Sequence, residues 1–231
     1  MPACRPLSAA EVERVLVSFH GRFAIRDRAL FALGVLTGFR ISELLSLTVA
    51  NVLQDGRLVD YLTVARRRMK RKARSRTVRL HLQAQRLLRT WLLDLAQHTT
   101  LAPETYVFRS RKGDNRPISR RRALRLLQAR FRALGMTGPL GTHSMRKTFA
   151  MGVHERLGND LRKTQEALGQ QDISSTIRYL QVVQAEIDRA VLSLELGGSP
   201  CLAPERSAWS ASPQVGWTNG TTHHEMPGHE M

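Results

Sequence analysis

The stretch that decides the fold runs from Gly141 to Tyr179. It contains three informative pieces, which are GTHSMRKTFA at 141–150, LGQ at 168–170 and, nine positions after the glutamine, the tyrosine at 179. Because His143 and Arg146 are three residues apart, a helix would place both on one face, where they can contact the same ligand. An arginine fork suits two phosphate oxygens, and an imidazole adds a hydrogen bond or takes a proton. The tyrosine is therefore a candidate nucleophile beside a phosphate site.

Composition limits the class of protein. The 231 residues carry 36 Lys and Arg against 19 Asp and Glu, so the formal net charge is +17. Such a positive field attracts polyanions, and nucleic acid is the leading partner. No apolar run of about 18 residues and no signal-peptide order is present, which predicts a cytoplasmic protein without a membrane partner. Cys4 and Cys201 form no CxxC spacing, so we expect no disulfide framework, no zinc site and no cofactor.

Hydrophobic periodicity predicts an α+β chain that is mainly helical with one small antiparallel β-hairpin. Ser8 and Glu11 form a capping-box pattern at the first helix, and Gly38 suits the C-terminal cap of the second. The predicted elements are a helix from Ser8, a helix over 26–36, strands over 58–64 and 76–80, a helix over 82–98, a helix over 119–134 capped by Ser119, a helix capped by Thr142, a helix over 160–168, a helix from Ser174 and a helix over 184–196.

Domain organisation follows a change in composition. Residues 1–196 are expected to form one catalytic domain, whereas 197–231 are rich in Gly, Pro, Ser and Thr and lack periodicity, which predicts a disordered C-terminal tail. The histidines of this tail are His223, His224 and His229. We interpret any metal binding there as adventitious because such a segment does not fix a coordination geometry.

Arg40 and Glu43 are a second candidate pair. They lie three residues apart just after Gly38, so the carboxylate can hold the guanidinium in place while the neighbouring leucines anchor the turn. The alternative is an ordinary surface ion pair worth a few tenths of a kcal/mol. The sequence alone leaves both open.

The predicted hairpin carries the densest charge run of the chain. A cationic hairpin tip can bind phosphates in a DNA groove without reading bases, and the alternative is a solvated, self-repelling loop. We favour DNA binding because like charge of this density needs a polyanion to neutralise it. The predicted DNA-binding residues are Arg66, Arg67, Arg68, Arg71, Lys72, Arg74 and Arg76. The arginines of the helix over 119–134 fit either a major-groove helix or a solvated face.

Taken together, these pieces resemble the catalytic domain of the tyrosine recombinase or phage integrase family. That family shows an Arg-x-x-Glu after a glycine and an aromatic residue or leucine, a hairpin lysine, His-x-x-Arg, Leu-Gly-His and a tyrosine nine residues later. The corresponding residues here span about 7–196 and are Thr37 to Leu44 with Arg40 and Glu43, Thr142 to Arg146, Leu168 to Gln170, and Tyr179. The resemblance implies the fold of that catalytic domain.

The resemblance also implies the chemistry. Tyr179 would attack a DNA phosphodiester and become linked to the 3′ phosphate, while Arg40, supported by Glu43, and Arg146 clamp the non-bridging oxygens. His143 would donate a hydrogen bond or accept a proton near the nucleophile. A hairpin lysine would protonate the departing 5′ oxygen. Lys70 is the first candidate for this lysine and Lys72 the second, because the loop length leaves the register open.

Two departures from the family pattern stand out. Gln170 occupies the place of the usual histidine or tryptophan; it can donate a hydrogen bond to phosphate but cannot exchange a proton, so it belongs to the candidate catalytic set with reduced activity expected. The pattern also begins almost at the first residue, where family members generally carry a helical core-binding domain. The sequence thus fits a minimal recombinase, or one helped by its hairpin, by its own oligomer or by an accessory DNA-binding protein.

These observations lead to three hypotheses for function. The favoured one is an enzyme, a tyrosine-type DNA strand-transferase acting as a site-specific recombinase or integrase in DNA integration or replicon resolution. It would work without a cofactor, as a homo-oligomer that the resemblance suggests is a tetramer on paired sites. The second is a catalytically weak DNA-binding relative, motivated by Gln170. The third is a type IB topoisomerase-like strand passer.

Overall fold

The computed structural model of the protein describes residues 4–66, 74–110, 114–169 and 192–193. The chain divides into two compact units, Met1–Gln181 and Val182–Met231. The elements of the first unit are α1 (Ala9–Ser18), α2 (Ala24–Thr37), α3 (Ile41–Leu45), α4 (Val49–Val52), β1 (Leu53–Gln54), β2 (Arg57–Leu58), β3 (Tyr61–Arg66), β4 (Arg74–Arg79), α5 (Leu82–Ala96), α6 (Arg120–Ala133), α7 (Thr142–Arg156) and α8 (Leu161–Leu168). The predicted α+β, mainly helical class is confirmed.

Helix α2 is the centre of the fold because it is apolar almost all round. One side carries Leu30 and Leu33, which join a core with α5 and the strands. The other side carries Phe31 and Val35, which join a second core with α1, α6 and α7. Both cores therefore share one helix, and the end of α2 reaches the region where Arg40 and α7 meet.

The approach of α2 to α7 depends on a glycine. A Cβ placed on Gly34 would lie 2.5 Å from Met145 Sδ and 2.9 Å from Met145 Cε. Met145 is fully buried, so its side chain has little room to move aside. The missing side chain at Gly34 thus lets α7 pack closely enough to bring its first two turns to the C-terminal end of α2.

Strands β3 and β4 form the predicted antiparallel hairpin, in register from Tyr61 opposite Arg79 to Arg66 opposite Arg74. Alternation along the strands points Leu62, Val64 and Arg76 inward, and all three are buried. Leu58, predicted as the start of the first strand, instead lies in β2, which pairs with β1. The hairpin tip over 67–73 lies outside the described residues.

Local capping signals account for most helix boundaries. Ser8 and Glu11 form the predicted capping box at α1, Gly38 ends α2 with φ of 62°, and Asp160 caps α8 through a bond from Lys163 N. The prediction that Thr142 caps α7 is wrong. Thr142 is the first helical residue, and Gly141 occupies the N-cap position without a side-chain cap bond.

Several predicted elements fall on residues that the structure does not describe. They are the helix from Ser174, the tail over 197–231 and, apart from residues 192–193, the helix over 184–196. In the described ranges, no helix combines the length and the apolar composition that crossing a membrane requires.

Candidate active site

Arg40 stands at the junction between α2 and α3, directly before the first residue of α3. Its backbone N–H donates to Glu43 Oε2 at 2.7 Å, and its Nη1 donates to Glu43 Oε1 at 3.2 Å. The Arg40 side chain is 41% exposed, whereas that of Glu43 is only 10% exposed. One buried carboxylate thus fixes both the backbone and the guanidinium of an arginine that still faces solvent, which is more than a surface ion pair provides.

His143 and Arg146 lie in the first two turns of α7, as the sequence predicts, but their environments differ. The His143 side chain is exposed. Arg146 is only 1% exposed and donates from Nη1 to Gly38 O at 2.5 Å and from Nη2 to Leu168 O at 3.0 Å. The backbone carbonyls therefore set the orientation of the Arg146 guanidinium before any ligand arrives.

The pKa of His143 shows that the three groups act on one another. Although its surface is accessible to solvent, its pKa is lowered from the ordinary 6.5, first by desolvation from the protein groups around the ring and then by repulsion from Arg146, Arg40 and Lys147. The neutral imidazole is consequently the favoured form at pH 7. An anion bound among these cations would reverse the repulsion and raise the pKa of His143 again.

Arg76 lies in the predicted hairpin, but its side chain is buried. We expected a DNA-binding side chain in the hairpin, but Arg76 is 5% exposed and points into the fold. Its Nη2 donates to Thr37 O at 2.7 Å and to Ala167 O at 2.6 Å, and its Nε donates to Ala167 O at 3.0 Å. The physical reason is strand alternation, which turns position 76 to the same face as the core residue Val64, its partner in register.

Arg76 and Arg146 together join two helix ends. The acceptors Thr37 O and Gly38 O close α2, and Ala167 O and Leu168 O close α8. The last carbonyls of a helix lack partners within the helix and carry partial negative charge, so cations satisfy them well. We call this set of two guanidinium groups and four carbonyls the carbonyl clasp. The sequence does not reveal it, because its acceptors are backbone atoms; the inward register of Arg76 was the available signal.

Other predicted site residues lie at the margin of the described chain or beyond it. The backbones of Arg66 and Arg74 form the last register pair of the hairpin. Gln170 follows Gly169, which ends α8 in the left-handed conformation with φ of 56°. The predicted residues outside the described ranges are Arg67, Arg68, Lys70, Arg71, Lys72, Gln170 and Tyr179.

The arginines of α6 separate into two groups. Arg130 Nη1 donates to Ser18 O at 3.1 Å and so braces α1 against α6. The arginines near the start of the helix are exposed, namely Arg120, Arg121, Arg122 and Arg125. Across the described ranges, no group of three or more His, Cys, Asp and Glu lies together as a metal site would require.

The fold and the site define an α+β protein in which arginines and a histidine from distant segments converge to suit a phosphate group. The model of the phage integrase family matches residues 5–186. The chain belongs to that family, as its sequence motifs predict.

Similar proteins agree with this assignment. The chain is 29% identical over 186 residues to tyrosine recombinase XerD of Halalkalibacterium halodurans, covering 79% of this chain and 59% of that protein. It is 30% identical over 192 residues to tyrosine recombinase XerD of Pseudomonas putida, covering 81% and 61%. Probable integrase/recombinase YoeC of Bacillus subtilis is 30% identical over 158 residues, covering 68% and 78%. The chain therefore spans only about three fifths of the length of the two XerD relatives.

Solved structures share the fold. The XerA recombinase superposes with a TM-score of 0.64 at 21% identity, covering 83% of this chain and 66% of that one. The XerH site-specific recombinase bound to palindromic difH substrate, in a post-cleavage complex, gives a TM-score of 0.63 at 21% identity, covering 80% and 51%. The tyrosine-recombinase catalytic-domain fold predicted from the motifs is thus confirmed.

Proposed function

We propose that this protein is a site-specific DNA recombinase that cuts and rejoins DNA through a 3′-phosphotyrosyl intermediate. The observation that carries the proposal is that Arg146, one turn along α7 from His143, donates to Gly38 O, two residues before Arg40, so the three side chains come from elements that meet at the end of α2. The lowered pKa of His143, to which Arg146 and Arg40 contribute, agrees with this arrangement. The two guanidinium groups repel each other and disfavour the protonated imidazole, and an anion that enters between them offsets both effects. The recombinase relatives and family membership support DNA phosphate as that anion.

Arg40, Arg146 and His143 each have a role in this chemistry. Arg40, held by Glu43 and still exposed, donates to a non-bridging oxygen of the scissile phosphate. Arg146 supplies fixed positive charge beside it, and contacts a phosphate oxygen once an edge of its guanidinium is uncovered. His143, neutral at pH 7, accepts the proton of the attacking hydroxyl or donates a hydrogen bond to the phosphate.

The remaining roles fall on residues predicted from the sequence. The hydroxyl oxygen of Tyr179 attacks phosphorus, the bond from phosphorus to the 5′ oxygen breaks, and Lys70 or Lys72 gives that oxygen a proton. The phosphotyrosyl bond keeps the energy of the broken bond, so the 5′ hydroxyl of a partner strand can reverse the step. Gln170 donates a hydrogen bond to the phosphate in place of a histidine.

DNA binding rests on charge. The net charge of +17 includes the hairpin tip and the three exposed arginines in the first turn of α6. Cations at the positive end of a helix are unfavourable unless an anion lies nearby, which supports phosphate binding at this turn over a merely solvated face. The affinity for DNA should then fall steeply with salt.

The decisive experiment traps the covalent intermediate. A duplex site selected from a random library by repeated binding is nicked a few nucleotides downstream of the scissile phosphate, so that the short fragment carrying the released 5′ hydroxyl diffuses away after cleavage. We expect the wild type to accumulate a protein–DNA adduct, and Tyr179→Phe and Arg40→Ala to form none. Arg57→Ala, which removes an exposed arginine of β2, is the matched control and should react normally.

The outcomes separate the candidate functions. No adduct with the wild type, or an equal adduct with Tyr179→Phe, would overturn the proposal in favour of a DNA-binding relative that no longer cleaves, for which Gln170 is the motivating residue. An adduct combined with relaxation of a one-site supercoiled plasmid, and without recombination of a two-site plasmid, would instead indicate a topoisomerase-like strand passer. Recombination of the two-site plasmid would also support assembly as a tetramer on paired sites of double-stranded DNA.

A further inference from the structure

We propose that Arg76 is a positioning residue of the phosphate site, acting through the carbonyl clasp and not through contact with DNA. The inference rests on the proposed function. In the carbonyl clasp, Arg76 and Arg146 hold the C-terminal end of α8 against the C-terminal end of α2. That contact fixes the described end of α8, at Leu168 and Gly169, relative to Arg40 and His143.

The contacts of Arg76 indicate that its guanidinium group holds two helix ends in a defined orientation. Its guanidinium carbon lies over two aromatic rings, 4.7 Å from the centre of Phe39 and 5.6 Å from that of Phe149. Its nitrogens reach carbonyls of two different helices, at Thr37 and Ala167. A lysine carries the same charge but is a point donor without a planar fork, so it cannot hold both helix ends in this geometry.

The position of the clasp links it to the chemistry. Thr37 and Gly38 lie two or three residues before Arg40, and Ala167 and Leu168 lie two or three residues before Gln170. Arg146, itself a candidate phosphate ligand, occupies the other half of the clasp through Gly38 and Leu168. A shift of α8 against α2 would therefore displace the guanidinium of Arg146 relative to Arg40. Small displacements of this kind strongly lower rates, because catalysis depends on the near-attack geometry.

The burial of Arg76 also argues against direct contact with DNA. Arg76 is 5% exposed and its hydrogen bonds go to backbone carbonyls. Arg79, three residues along the same strand, is exposed. A pair of charge-conserving changes at these two positions therefore separates positioning from electrostatic attraction.

The experiment compares Arg76→Lys with the matched control Arg79→Lys in the full chain. Single-turnover cleavage is measured on the nicked site at saturating protein and low temperature, and the dissociation constant for the same site is measured by fluorescence anisotropy. We expect Arg76→Lys to cleave at least tenfold more slowly with its dissociation constant changed less than threefold, and Arg79→Lys to match the wild type in both. An unchanged cleavage rate, or a parallel loss of binding, would overturn the inference.

A second measurement does not depend on cleavage. Amide hydrogen exchange is followed for a peptide covering 161–169, where Gly169 N–H donates to carbonyls of the last turn of α8. Arg76→Lys should accelerate exchange in this peptide about tenfold while leaving α5 unchanged; equal protection would refute the clasp. If the wild type forms no covalent adduct, the proposed function fails, and exchange alone still decides whether Arg76 holds α8.

A milder variant guards against loss of folding. Phe149 is half-buried, and its ring lies under the guanidinium group of Arg76. The substitution Phe149→Leu removes this ring and keeps both arginines. It should change cleavage and exchange in the same direction as Arg76→Lys, by a smaller factor. Normal cleavage together with normal exchange in Phe149→Leu, if Arg76→Lys does not fold, would overturn the proposal.

Discussion

Replacing Gly34 by alanine tests whether the close approach of α2 and α7 builds the site. The new Cβ would lie 2.5 Å from Met145 Sδ, 2.9 Å from Cε and 3.3 Å from Cβ. Overpacking of a buried core costs about 1–3 kcal/mol, while alanine gains about 1 kcal/mol over glycine in a helix. We therefore expect Gly34→Ala to lower the free energy of unfolding by up to about 2 kcal/mol.

Gly152→Ala is the matched control because it makes the same chemical change within α7. A Cβ there meets Arg156 Nη1 at 3.3 Å, at the end of an exposed and flexible side chain. This variant should gain most of the helix propensity, about 0.5–1 kcal/mol. The difference between the two variants, about 1–3 kcal/mol, isolates the contact with Met145.

Urea unfolding followed by circular dichroism measures both free energies. If Gly34→Ala and Gly152→Ala change the free energy of unfolding by the same amount within about 0.5 kcal/mol, the helices do not require glycine at this crossing and the reasoning is wrong. The adduct assay adds a functional reading. Gly34→Ala should slow cleavage, because any displacement of α7 moves both His143 and Arg146.

Three further results are expected. Glu43→Gln should slow cleavage about 10- to 100-fold by releasing the guanidinium of Arg40, with little change in DNA affinity; an unaltered single-turnover rate would contradict this. The NMR titration midpoint of His143 should lie below 6.5 in the free protein and rise on binding DNA, because phosphate removes the repulsion that lowers its pKa; a midpoint that falls or stays would argue against a phosphate at the site. Because the pKa of His143 is lower in the folded protein than in the unfolded chain, the unfolded chain takes up this proton first as the pH falls. The free energy of unfolding should therefore decrease as the pH drops below about 6.5. Arg5 holds the pKa of Glu11 at about 2, so the stability that this carboxylate contributes is complete above about pH 4.5 and is lost as pH falls toward 2. Glu11→Gln should remove about 1 kcal/mol at pH 7 and flatten the acid limb of the stability curve, and an unchanged limb would refute the assignment.

Local signals predicted much of the fold. The capping box at Ser8 and Glu11, the left-handed cap at Gly38 and the cap at Asp160 each involve groups within a few residues of one another, so sequence spacing suffices to recognise them. Thr142 shows the limit of the same rule. Its residue type suits a cap, but the helix begins one residue earlier than that role requires, with Gly141 at the N-cap position.

The candidate site was predicted by residue type and spacing. Arg40 with Glu43, and His143 with Arg146, are short-range pairs whose geometry follows from a helical turn. Only the family motifs predicted that these two pairs lie next to each other, because spacing within one segment does not show which distant segment packs beside it. The predicted roles of Lys70, Gln170 and Tyr179 fall on residues that the structure does not describe and stay predictions.

The stretch from Gly141 to Tyr179 indicated the family. Family motifs consist of residue types at set spacings, and the sequence shows both the residue types and the spacings. The tertiary structure alone decided that Arg76 turns inward, that Arg146 is buried and that the two arginines share the ends of α2 and α8. The acceptors of that clasp are backbone carbonyls, which every residue possesses. No pattern of side chains can mark them, and only the packing of two helix ends against a strand brings them together.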